Sequence, residues 1–378
     1  MTDLFTVLIP TRDRAETLRS TIASCLAQDA DNLRVVVSDN CSVDNTRDVV
    51  DAFDDPRLDY RRTDRRLSMS GNFEFSLGAV TQGYVMHLGD DDGLIPDAIA
   101  HVAAVIRESG TLAVTSAHAT YHWPNSLFDG YRNRLILPVA RGYAMRDALA
   151  AARRVADYRE GYPTLPGTYS GFVHRSVIDR ARSGGRYYTS ITPDSFSGFV
   201  DAGLLDRYAF THRPFALAGL SGRSNGASQV TNNDHSEAAR YSQENDLPVH
   251  ADVVYCQQSL PIVVAEAFLQ ARERAPRLHQ VGFDMKRLCQ VALHDASFDN
   301  YPAVRNAVAI IAERHGIAMT IPPAPTLAQK LARELNRTRL RIRRLREGYR
   351  RVDASAHGVV DVAGAARLAR ELLGPLET

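Results

Sequence analysis

Three adjacent carboxylates stand in Gly89-Asp90-Asp91-Asp92-Gly93, directly after the apolar run Tyr84 to Leu88 and just before the helix that Pro96 opens. Like charges this close repel, and a helix cap needs only one of them. A hard divalent cation, Mn2+ or Mg2+, resolves the repulsion. Held by one or two carboxylates and by phosphate oxygens, it would neutralise a diphosphate and stabilise the charge that builds as it leaves. The plainer alternative is a solvated acidic turn. Two more polar clusters follow apolar runs: Ile9-Pro10-Thr11-Arg12-Asp13-Arg14 and Ser38-Asp39-Asn40-Cys41-Ser42-Val43-Asp44. An Asp in that position can accept the N–H of a pyrimidine base, and backbone groups around Pro10 and Thr11 can hold a ribose. Taken singly, each cluster is ordinary turn chemistry. Together, three polar strand ends suit a nucleoside diphosphate.

The elements that must position these residues read as βαβ units. Phe5 to Ile9 is a short buried-strand run, after which Leu18, Ile22, Cys25 and Leu26 recur at helical spacing. Leu33 to Val37 is a second strand, Asp44 to Phe53 a second helix and Leu58 to Arg61 a short extended piece. Asn72 to Val80 is helical, Tyr84 to Leu88 a strand, and Ile99, Val102, Val105 and Ile106 stripe the helix after Pro96. Strands alternating with helices make a mostly parallel sheet with both faces covered, and ligands bind at the carboxyl ends of its strands. From Leu112 to Asn225 the pattern is mixed, with strands at Leu112 to Ser116, Gly171 to His174, Arg207 to Phe210 and Phe215 to Ala218. Helices are expected at Val253 to Arg272, Met285 to Leu293 and Ala303 to His315.

In order along the chain, Ile9-Pro10-Thr11-Arg12-Asp13-Arg14, Val37 to Asp44, Gly71-Asn72 and Leu88-Gly89-Asp90-Asp91-Asp92 with Pro96 resemble the signature of family 2 glycosyltransferases. The likeness covers residues 4–110 strongly and 165–228 more loosely. It implies the GT-A fold, an α/β sheet with helices on both faces, and an inverting transfer of a sugar from a nucleoside-diphosphate donor to an acceptor hydroxyl of a glycan or glycoconjugate. Carried over residue by residue, it makes Pro10, Thr11, Arg14, Asp39 and Asn72 donor contacts, and Asp91 and Asp92, with Asp90, the acidic metal-binding group. Asp13 stands where the family usually has Asn, and Gly89 where its acidic turn usually opens with Asp. An inverting transfer also needs a base to take the acceptor's proton. The family places an acid well downstream before an apolar helix, which singles out Asp194 in Thr192-Pro193-Asp194-Ser195-Phe196. A helix cap is the alternative there, and Asp201 and Asp206 are rivals. His212 is a further candidate metal or phosphate contact.

Other motifs point elsewhere. Gly222-Arg223-Ser224-Asn225-Gly226 matches the nucleophile elbow of a serine hydrolase, but residues 227–236 lack the apolar stripe of the helix that should follow. A nucleotidyltransferase would need a Gly-rich triphosphate loop after the first strand, which is absent. A non-catalytic sugar-nucleotide binding protein would keep Asp39 and lose the base. His118 and His122 lack a third zinc ligand at a useful spacing, and the segment around Tyr121 and Trp123 reads as an aromatic acceptor loop or a packed surface loop.

The 378 residues suggest more than one folding unit. The expected division is 1–230 catalytic domain, 231–322 helical region and 323–378 basic helical tail. Net charge is +1, which recommends no nucleic acid partner. Four cysteines without a CxxC pair fit a reducing cytoplasm. The best apolar stretch, Leu260 to Ala271, is broken by Glu266, which disfavours a membrane span. Charge is uneven, however: Lys330 to Arg351 holds ten basic residues against two acids. Thr326 and Gln329 have capping-box spacing, and Ala328, Leu331, Leu335, Thr338, Ile342, Leu345, Tyr349 and Val352 fall on heptad positions. That segment reads either as a coiled coil joining a homo-oligomer or as a basic helix lying peripherally on the anionic inner face of a membrane.

Overall fold

The computed structural model describes residues 3–182, 185–224, 243–326, 331, 335 and 348–376. Its parallel half is the expected alternation: β1 (Phe5–Thr11), β2 (Leu33–Asp39), β3 (Leu58–Arg62) and β4 (Tyr84–His87), in spatial order β3-β2-β1-β4. Val7 lies in register with Val35 on one side and Met86 on the other. Side chains alternate across the pleat, and both faces are buried. Val7, Ile9, Val35 and Val37 join Leu18 and Ile22 of α1 (Ala15–Leu26) and Ile99 and Val102 of α4 (Ala98–Ser109). Leu8, Val36 and Val85 join Phe73 of α3 (Met69–Leu77) on the other side. The short α2 (Thr46–Asp51) packs against α1.

Beyond β4 the sheet becomes mixed. β6 (Ala113–Ser116), β9 (Tyr143–Asp147), β10 (Phe172–His174) and β11 (Arg207–Thr211) extend it in the order β4-β10-β6-β11-β9, with β10 antiparallel to both neighbours. Helices α5 (Ala148–Ala156), α6 (Arg175–Ala181) and α7 (Pro193–Leu204) cover this half. α8 (Leu260–Arg274), α9 (Met285–Asp295) and α10 (Tyr301–Arg314) pack on the same hydrophobic cluster; Phe268 meets Phe199 of α7 edge to face at 5.1 Å.

A second, five-stranded sheet is not legible in the sequence. It consists of β5 (Gly93–Leu94), β7 (Ala119–His122), β8 (Arg134–Pro138), β12 (Ala216–Leu220) and β13 (Tyr349–Asp353), ordered β13-β8-β7-β12-β5. The residues expected as an aromatic loop, 119–122, are thus a strand. Tyr349 and Val352 are likewise in β13, antiparallel to β8, which ends the heptad reading short of them. After β13, α11 (Val362–Leu373) packs against α1 and β5. Within the segment expected as a helical tail, residues 348–376 hold a strand and a helix attached to the sheets. Leu331 and Leu335 are helical and each 58% exposed; heptad positions 328, 338, 342 and 345 and the capping position 329 lie outside the described residues. No described helix is long and apolar enough to cross a membrane.

Candidate active site

The acidic turn is the link between the two sheets. β4 ends at His87, β5 begins at Gly93, and Asp90, Asp91 and Asp92 span the gap with 3, 5 and 2% exposure. Each carboxylate takes a different set of donors, as three repelling charges should. Asp90 accepts from Thr11 Oγ1 at 2.7 Å and is ion-paired with Arg14 at 2.9 Å. Asp91 Oδ2 accepts from the Ser221 hydroxyl at 2.7 Å. Asp92 accepts on both oxygens: Gly219 N at 2.7 Å on Oδ1, and Gly89 N at 3.0 Å and the Tyr169 hydroxyl at 2.8 Å on Oδ2. β12 brings Gly219 and Ser221 there because it pairs antiparallel with β5. A Cβ on Gly219 would lie 1.7 Å from Asp91 O, so this close approach requires glycine. Trp123 Nε1 donates to the same carbonyl at 3.0 Å.

These donors do not offset the burial. Desolvation raises the Asp91 carboxyl, opposed by Arg14, and pushes Asp92 up to about 7 with help from the neighbouring Asp91 charge. Buried, undercompensated anionic oxygen is what a hard divalent cation binds, so the donor set fits Mn2+ or Mg2+. Among the described residues no group of three or more acids, histidines or cysteines already converges in a metal-holding geometry.

The turn faces a cleft of about 450 Å3. Pro10, Thr11, Arg14 and Asn72 line it, as do Asp90 to Asp92 and Asp194. Asn72 is fixed by the end of β2, accepting from Ser38 Oγ at 2.7 Å and donating to Ser38 O at 3.2 Å. Asp13 adopts a left-handed backbone (φ 53°), which Asn and Asp tolerate better than other side-chain residues, and its carboxylate takes the N–H of Val43. The loops after β1 and β2 are locked together in this way.

Asp194 stands in the first turn of α7, with Thr192, not Asp194, at the N-cap. Its Oδ2 accepts the Tyr162 hydroxyl at 2.8 Å. Burial raises its carboxyl, and the Tyr162 bond acts the other way. Tyr162 and Tyr169 are themselves raised well above an ordinary phenol, chiefly by burial and then by Asp194 and Asp92 respectively, so both remain protonated donors. The rivals are elsewhere: Asp201 is buried in the core on the Tyr187 hydroxyl, and Asp206 is exposed and paired with Arg277.

Two expected contacts are not brought to the cleft. Asp39 is fully buried at the end of β2, where Ser42 N, the Tyr60 hydroxyl and Arg62 occupy its oxygens at 2.8, 2.6 and 3.0 Å, and it is not among the cleft-lining residues. His212 lines a different cavity, with its ring edge-on to Phe210. His212, just after β11, is thus not brought to the cleft that holds the acidic turn. Ser224 follows β12 and lines the cleft; residues 227–236, where a hydrolase helix would start, lie outside the described set.

Tyr162, Tyr169, Gly219 and Ser221 are site residues that sequence reasoning missed. Tyr169 reaches Asp92 because the chain at 168–170 runs beside His87, and Gly219 reaches it through the second sheet. No local pattern announces either pairing.

Residues 6–156 match the family described as glycosyl transferase family 2. The succinoglycan biosynthesis protein ExoO of Rhizobium meliloti (strain 1021) is 33% identical over 94 residues, a quarter of this chain. The chain spans about a quarter (27%) of that relative's length. Among solved structures, TarS 1-349 of S. aureus in complex with UDP-GlcNAc aligns over 84% of this chain and 82% of its own, at 14% identity and a TM-score of 0.45. The mannosyltransferase PcManGT of Pyrobaculum calidifontis, in complex with GDP-Man and Mn2+, aligns over 84% of both chains at 17% identity and a TM-score of 0.42.

Proposed function

Residues 6–156 being a family 2 glycosyltransferase domain, we propose that this enzyme transfers a sugar with inversion from a nucleoside-diphosphate donor to an acceptor hydroxyl, in a metal-dependent reaction. The observation that carries the reading is the joint presence, on one cleft, of three buried carboxylates at a strand end and a fourth carboxylate with raised affinity for a proton. Asp90, Asp91 and Asp92 are the residues that would hold Mn2+ or Mg2+, which supplies neutralisation of the leaving diphosphate. Pro10, Thr11 and Asn72 line the donor part of the cleft, and Arg14 adds a cation beside the acidic turn. Asp194 takes the acceptor's proton as the acceptor oxygen bonds to the anomeric carbon. The bond from that carbon to the diphosphate oxygen breaks on the opposite face. A carboxylate whose pKa is raised is a stronger base, and positioning supplies much of the remaining rate.

The short match to ExoO, whose name assigns it to succinoglycan biosynthesis, favours a glycan or glycoconjugate acceptor. Thermal denaturation with UDP-, GDP- and dTDP-sugars, each with and without Mn2+, tests the donor reading. A ligand at a hundred times its Kd stabilises by about 2.7 kcal/mol, so one donor should raise Tm by several degrees only when metal is present. No metal-dependent shift with any donor overturns it.

A further inference from the structure

A second cavity, of about 700 Å3, adjoins the donor cleft and is within the size range of small-ligand sites. We propose that it binds the carbohydrate acceptor; this rests on the glycosyl-transfer reading of the cleft. Its walls include Arg146 of β9 and Phe210 of β11 at the edge of the large sheet, the segment 158–164, the start of α8, the end of α9 at Asp295, and Ala140 after β8.

Position is the first argument. Tyr162 and Leu260 line both the cavity and the cleft. A small recess of about 50 Å3 is lined by Ala117 and Tyr162 of the cavity and by Asp194 of the cleft. Tyr162, whose hydroxyl is bonded to Asp194, is thus common to all three spaces. The cavity and the base therefore share Tyr162 as a common wall.

Wall chemistry is the second. Tyr158 and Tyr162 present aromatic surface, on which the apolar face of a sugar ring stacks. The Arg146 guanidinium lies 3.6 Å from the Phe210 centroid; its Nη1 is buried, finds no hydrogen-bond acceptor among the described residues, and is 3.7 Å from the Glu160 carboxylate. An unfilled donor beside a carboxylate acceptor suits a hydroxyl, which can serve both. Glu160 pairs with both Arg146 and Arg154, Arg159 pairs with Asp157, and Asp295 adds a further acid, so the wall has no surplus of cations to select an anion. An acyl chain would bury those charges against hydrocarbon at a cost it cannot return. A neutral, hydroxyl-rich ring meets both requirements.

Saturation-transfer NMR on the full chain tests this, with methyl β-D-glucoside, methyl β-D-galactoside and methyl α-D-mannoside as probes. At least one should bind and should keep its signal when UDP, GDP or dTDP with Mn2+ fills the cleft. Ala140→Trp, at an exposed position on the cavity wall, should weaken that glycoside at least tenfold and leave metal-dependent donor binding unchanged. Arg146→Leu should weaken it similarly, its Tm showing that the fold survives. No signal from any glycoside, displacement of the glycoside by nucleotide, or wild-type affinity in both variants overturns the proposal. Glycoside binding that obeys these rules in a protein that binds no donor nucleotide would sink the transfer reading and still support the carbohydrate site.

Discussion

Asp92 accepts hydrogen bonds on both oxygens, so an amide there would turn an N–H toward Gly219 N or Gly89 N. Asp91 differs: its bonds from Ser221 go to one oxygen, which an Asn can reproduce. Asp91→Asn is therefore the variant that changes charge without breaking the turn. In the metal-free protein Asp92 holds its proton up to about pH 7, whereas an unfolded Asp loses it near 4. Between those values the folded state binds more protons, so stability falls as pH rises through the window. Asp91→Asn removes the neighbouring charge, lowers the Asp92 carboxyl and should flatten that decline, raising metal-free Tm near pH 7 by a few degrees. It should also weaken Mn2+-dependent donor stabilisation, and an unchanged metal response would remove Asp91 from the metal set. At Asp194 the prediction concerns rate. Asp194→Asn should retain donor binding and lose about 10²–10⁴-fold in transfer, measured on one preparation. Tyr162→Phe deletes a hydrogen bond that favours the Asp194 carboxylate, so the acid limb of the pH–rate profile should move to higher pH. An unmoved limb would mean that the ionisation being followed is not that of Asp194.

At the scale of elements, the site depends on β12. Gly219 carries an N–H to Asp92 and lies against Asp91 O, so Gly219→Ala must push the strand off the acidic turn. Overpacking of this kind costs roughly 1–3 kcal/mol, and the metal-dependent donor shift should disappear as well. Urea unfolding and thermal shift measure the two losses; wild-type donor binding in this variant would show that the β12 contact is dispensable. The same element marks how far the sequence could be read. β1, β2 and β4 were legible because each is an apolar run with a helical stripe nearby; the polar ends of β1 and β4 carry Thr11, Arg14 and the acidic turn, while Asn72, inside α3, was singled out by the resemblance alone. The second sheet was not legible, because β7, β8 and β13 are four or five residues long, carry Arg, His and Tyr among their apolar positions, and pair across long sequence separations. Asp39 was recognisable as a strand-end acid, but nothing local announces that Tyr60 and Arg62 of the neighbouring strand would occupy it. Asp194 was singled out by the resemblance, which places an acid before an apolar helix, whereas its partner Tyr162 precedes it by thirty-two residues in a single 3-10 turn that no sequence pattern announces.

Over the whole molecule, residues 348–376 help hold the acidic turn in place. Val359, Val362, Leu368 and Leu373 are buried with Leu135, Leu217 and Trp123, and Val362 lies where a Cβ on Gly93 would clash. Arg213 donates to the carbonyls of Leu373 at 3.0 Å and Gly374 at 2.6 Å, and Arg370 pairs with Asp97 just before α4. A chain ending near Pro325, the natural cut for removing a basic tail, would also remove β13 and α11. Burying those four aliphatic side chains is worth about 1.5–3 kcal/mol each, or about 6–12 kcal/mol together. That is comparable to the whole stability of a domain, roughly 5–15 kcal/mol. The truncated chain should therefore lose its cooperative thermal transition and its donor binding, whatever the basic segment itself does. Arg213→Ala is the milder test, because it keeps α11 and removes only the clamp on its carboxyl end. It should lower Tm by several degrees and weaken donor binding in proportion to the unfolded fraction. A truncated protein that melts cooperatively and binds metal and nucleotide as the full chain does would sink the idea that the C-terminal segment belongs to the catalytic fold.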